Sequence, residues 1–113
     1  IMLMLMRQPL HNRSTEYADN RISLYSAQWG KCAITGHEFR SVAEIHCHHA
    51  TPRSKGGTDK YENLVLILES VHRLIHATRP ETINHYKEIC SLNVSQMKKL
   101  NEFRQKAGLE SIA

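Results

Sequence analysis

HCHHATPRSKGGTDKYENLVLILESVHRLIH, residues 46–76, is the stretch from which the rest of the chain is read. It opens on an adjacent pair, His48 and His49, and closes on His72 and His76. Ala43 to His49 alternates as a strand does, with Glu44, His46 and His48 on one face and Ile45, Cys47 and His49 on the other. Pro52, Gly56, Gly57 and Asp59 then mark residues 50–62 as a long loop. A loop approaching ~12–15 residues in a small domain is usually functional. Leu64 to Leu68 is a compact apolar run and reads as the partner strand. A helix starting at Glu69 or Ser70 runs through His76 and is halted by Arg79-Pro80.

The flanks read as helices. Arg7 to Arg13 is a connector, and Ser14 or Thr15 caps a helix to about Trp29, with Tyr17, Ile22, Leu24, Tyr25 and Trp29 as its irregular apolar face. Gly30 stops it, and Cys32 to Gly36 is a short apolar piece ending in a glycine turn. Pro80 opens a further helix with Glu81 in its first turn, and Asn93 or Ser95 opens the last, ending near Gly108. The organisation expected is a connector and helix over 1–29, a central unit over 30–79 and supporting helices over 80–113.

The chain's 113 residues suffice for one domain with a modest core. Fifteen Lys and Arg against eleven acids give a formal charge of +4, a mild bias toward a polyanionic partner. Three cysteines without regular spacing do not make a secreted disulfide framework and fit a reducing cytoplasm. The apolar start, Ile1 to Met6, is too short for a membrane span and lacks the features of a signal peptide. It reads as a piece of something that packed elsewhere, in a fragment of a longer chain.

Two histidines four apart on a helix share one face and can hold one ion. His48, from the strand before the loop, offers a third imidazole to His72 and His76. Three neutral imidazoles leave positions open for water and a phosphate oxygen, the pattern of a catalytic rather than a structural metal. His49 points to the other side of its strand, so it is free to act as a general base. Asn63 is the candidate for holding the loop around it, and Arg53, Lys55 and Arg73 stand near enough to bracket a phosphate backbone. Against this stands a plainer reading of His72 and His76 as surface histidines of one helix. His46 shares the face of His48; contact with phosphate or with the metal's surroundings is weighed against simple exposure, which is favoured. Cys47 is expected to be buried rather than to ligate, and Tyr61 to pack on the loop rather than stack on a nucleotide. Lys98, Lys99, Arg104 and Lys106 are expected mostly on a solvated helix face, and His11, His37 and His85 at the surface.

The order His48-His49, Pro52-Arg53-Ser54, Gly56-Gly57, Asn63-Leu64 and His72…His76 resembles the HNH endonucleases. That resemblance implies an α+β, ββα-metal fold: a short two-stranded hairpin, a metal-bearing helix and flanking helices at both ends. Residues 19–28 and 30–36, with the tail from Leu100 to Gly108, are similar to the C-terminal DNA endonuclease domain of bacterial group II intron-encoded reverse transcriptase/maturases. The resemblance implies His49 as base, His48, His72 and His76 as ligands, and Asn63 as the residue ordering the loop. It also implies DNA as substrate, one strand nicked, with intron RNA and a reverse transcriptase domain as partners and no membrane. Many such domains carry two Cys-x-x-Cys pairs for a structural zinc. Here Cys32 is present, but Thr35, Leu68 and Val71 stand at the other three places, so no structural zinc is expected and Cys32 should pack as a small hydrophobe. Imidazoles suit zinc, nickel and manganese, whereas the resemblance and cellular supply favour magnesium or manganese. The alternative is a non-catalytic nucleic-acid-binding module with a structural metal.

Overall fold

A computed structural model describes residues 1–113. The helices are α1 (Met2–Arg7), α2 (Thr15–Ala27), α3 (Glu69–His76), α4 (Pro80–Cys90) and α5 (Val94–Lys106), and the strands are β1 (Ile45–His49) and β2 (Leu64–Leu68). The strands pair antiparallel, His46 opposite Ile67 and His48 opposite Val65. The hairpin leads directly into α3, so a ββα unit stands at the centre of this α+β chain, with helices on both sides.

β2 is apolar throughout because it is nearly enclosed: Leu66 and Ile67 are wholly buried. Its far edge is not left bare. The Gln28 side chain donates to the carbonyl of Leu66 at 2.9 Å and accepts from its N–H at 3.0 Å, and the Ala33 N–H donates to the same carbonyl. One glutamine therefore satisfies backbone groups that a third strand would otherwise pair. α3 buries Val71, Leu74 and Ile75 completely, a three- and four-residue spacing that turns one face to the core.

Residues 1–6 lie mostly in α1, where Leu5 is fully buried in the main core and its carbonyl accepts from the buried Arg21 guanidinium at 2.9 Å, while Ile1, Leu3, Met4 and Met6 stay exposed. Other expectations are modified. Trp29 is not on the apolar face of a helix; α2 ends at Ala27, and Trp29 takes a left-handed φ of 57° and is 84% exposed. Tyr61, at the end of the loop, is 43% exposed. Arg104 is not on a solvated face: it is buried, for a reason that belongs to the site. Cys32 does pack as a small hydrophobe, buried, with its Sγ accepting from the Leu68 N–H at 3.4 Å.

Candidate metal centre and its neighbouring histidine

The hairpin and α3 bring His48, His72 and His76 together as expected. One ring nitrogen from each lies within 4.8 Å of the others. Ring centroids stand 5.2 Å apart for His48–His72, 5.3 Å for His48–His76 and 4.8 Å for His72–His76. The spacing explains it: residues 72 and 76 follow the core positions 71 and 75, so both imidazoles emerge on the flank of α3 that faces β1. His48 is buried, with the Phe103 ring edge-on at 5.2 Å, and its Nε2 has no hydrogen-bond partner.

That orphaned nitrogen tests whether the donors suit an ion. A buried imidazole nitrogen without a partner is costly in an otherwise satisfied interior. Two other imidazoles share its neighbourhood, and metal–nitrogen bonds of ~2.0–2.1 Å need only a small adjustment from the observed spacing. The charge state agrees. Burial, then the nearby His76 and His49, pushes His48 down to about 4. Burial, then His48 and His76, pushes His72 down to about 3. His76 is also lowered, by burial and then by the charge of Arg104. All three rings thus offer lone pairs at neutral pH, and the residues fit a divalent ion.

Arg104 explains how the last turn of α3 is held. Its Nη1 donates to the carbonyls of Leu74, Ile75 and Ala77 at 3.1, 2.9 and 2.7 Å, and its Nε to that of Glu110 at 2.7 Å. A helix end leaves such carbonyls unpaired unless a donor is supplied. Here a buried guanidinium from α5 supplies it, directly beneath His76.

His49 lies outside the trio. Its ring stacks on Tyr17 at 5.8 Å with planes 8° apart, and its Nε2 stands 2.8 Å from Asp59 Oδ1. Asp59 was legible in the sequence only as a turn residue, yet it is the group that engages His49. Its other oxygen accepts from the Ser14 hydroxyl at 2.6 Å, while Asn20 donates to its carbonyl at 2.9 Å. The hydrogen bond from His49, then that from Ser14, holds the Asp59 carboxyl below its ordinary range. Ser14 also caps α2, accepting from the Tyr17 N–H at 2.9 Å, so the start of that helix and the loop are tied by one hydroxyl.

Asn63 closes the loop rather than touching His49. Its Oδ1 accepts from the Thr51 N–H at 2.8 Å, and its Nδ2 donates to the carbonyls of Thr58 and Thr51 at 2.8 and 3.1 Å. The chain between folds so tightly that a Cβ on Gly57 would run into the Thr51 carbonyl oxygen, which is why glycine stands there. Arg53 and Lys55 form an exposed turn in this loop, and exposed Arg73 pairs with Glu69 at 3.2 Å one turn earlier on α3. Arg73 also borders an open cleft of about 410 Å³ onto which His46, His72 and His76 face. A larger groove of about 830 Å³ along α5 contains none of these residues; its size carries less weight than the chemistry of the smaller cleft.

His46 departs from expectation. It is not simply exposed: its Nδ1 lies 2.9 Å from Nδ1 of His72. Strand alternation put it on the right face, but the contact depends on the ring orientations of both histidines.

Hairpin, helix and imidazole cluster define a ββα-metal domain. Residues 30–78 match the family model described as HNH endonuclease. No curated protein matches the chain, and no solved structure does. No helix is long and apolar enough to cross a membrane.

Proposed function

We propose that the protein is a metal-dependent endonuclease that hydrolyses DNA phosphodiester bonds and nicks one strand. The observation that carries the reading is the buried His48, with an unpartnered Nε2 beside His72 and His76. His48, His72 and His76 would hold one divalent ion; an all-nitrogen donor set suits manganese, zinc or nickel better than magnesium. Such an ion supplies neutralisation of charge building on the phosphate and on the leaving oxygen.

The remaining chemistry belongs to the chain. Asp59 accepts from Nε2–H of His49, which leaves the Nδ1 lone pair as the basic site. Nδ1 takes a proton from water as the water oxygen bonds to phosphorus, and the bond from phosphorus to the leaving oxygen breaks. Asp59 thus positions the base and steadies the imidazolium as it forms. Asn63 keeps the loop carrying Asp59 in register with β1. Arg53, Lys55 and Arg73 are the cations for the DNA backbone. A single centre of this kind cuts one strand at a time. The similarity of residues 19–28, 30–36 and 100–108 to group II intron endonuclease domains supports a role beside intron RNA and a reverse transcriptase domain, nicking target DNA to make a primer.

The test is supercoiled plasmid incubated with the protein and manganese, magnesium, zinc or nickel. Nicked circles should form with at least one ion and vanish with a chelator. DNA binding without cleavage under every ion would instead assign a non-catalytic binding module.

A further inference from the structure

β1 places a fourth imidazole beside the trio. His46 precedes His48 by two residues on the same face, and its Nδ1 is 2.9 Å from Nδ1 of His72. One of these nitrogens must donate and the other accept, so the contact fixes both tautomers together. Two observations set the direction. His46 Nε2 faces Glu69 Oε2 at 3.9 Å, where an N–H is favoured over a lone pair. With Nδ1 of His72 engaged by His46, Nε2 is the nitrogen of that ring left for the centre it shares with His48 and His76. The reverse direction would turn a lone pair toward the carboxylate and an N–H toward the ion.

We propose that His46 is a positioning residue that accepts from Nδ1–H of His72 and so presents the His72 Nε2 lone pair to the metal, with Glu69 favouring the Nε2–H form of His46. This rests on the metal-centre reading and deepens it. Glu69 opens α3, and the Arg73 side chain donates to it at 3.2 Å. The series Glu69, His46, His72 therefore ties the first turn of α3 to β1 and orients the ligand. Loss of such an outer partner commonly weakens metal binding by about 10–100-fold.

The full chain answers this with cobalt(II), whose absorption reports the ligand set, and with long-range proton–nitrogen spectra of the metal-free protein, which need no variant. Metal-free His72 should be the Nδ1–H tautomer. His46→Ala should bind cobalt about 10–100-fold more weakly with an unchanged absorption envelope. His46→Asn, which can set an oxygen near the place of Nδ1, should recover much of the loss. An Nε2–H tautomer at His72, undiminished affinity in His46→Ala, or an envelope showing one ligand fewer would each overturn the proposal. His48→Ala separates the two readings. If it abolishes binding while His46→Ala changes nothing, only the role of His46 fails; if wild type binds no cobalt, the metal centre fails with it.

Discussion

At the scale of single residues, the separation of His48 from His49 follows from strand alternation. Neighbouring side chains leave opposite faces, so one imidazole meets α3 and the other meets α2 and the loop. Asp59 is the residue on which the second half depends. The groups facing its carboxylate are His49, Ser14 and Arg53, and each lowers its pKa. A carboxyl whose folded pKa lies below the unfolded value of ~3.9 stabilises the fold above that pH, and the contribution is lost as pH falls through the folded value. Asp59→Ala should therefore cost about 1 kcal/mol at pH 7, and wild type and variant should converge in strongly acidic solution. Urea midpoints at pH 7 and in strongly acidic solution measure this; a gap undiminished in strong acid would contradict it. The pairing of Asp59 with His49 was not readable in advance. A carboxylate after two glycines looks like turn chemistry, and only the closed loop shows which side chain it reaches.

At the scale of elements, α3 was the most legible part. Its apolar positions, the preceding apolar strand and Pro80 beyond it left few alternatives, and the spacing of His72 and His76 placed two imidazoles on one flank. The support beneath it was invisible. Arg104 stands among Lys98, Lys99 and Lys106, a pattern that reads as a solvated face, and its burial depends on where the α3 carbonyls end in space. Arg104→Met should retain much of the side-chain packing but strand those carbonyls, costing about 3 kcal/mol. Chemical denaturation measures that cost, and a loss under ~0.5 kcal/mol would show that the carbonyls find water. Metal affinity should fall as well, because His76 sits in the turn that Arg104 secures. The end of α2 illustrates the opposite error. Periodicity ran the helix on to Trp29, whereas Gln28 leaves it to pair with β2 and Trp29 turns outward.

At the scale of the whole molecule, the site extends beyond residues 30–78. Ser14, Tyr17 and Asn20 of the N-terminal part hold the loop and ring of His49, and Phe103 and Arg104 of the last helix back His48 and α3. α1 joins the same core through Leu5, so Leu5→Ala should destabilise the chain by about 2–5 kcal/mol, read from its urea midpoint; an unchanged midpoint would mean that α1 is an appendage. In the proposed mechanism three histidines hold an ion while a fourth, held apart by Asp59, moves the proton. Plasmid nicking by His49→Ala, at an ion concentration where direct titration shows the variant loaded with metal, tests it most directly. The rate of nicked-circle formation should fall by about 10²–10⁴-fold with metal still bound. Nicking at the wild-type rate by the loaded variant would contradict the account.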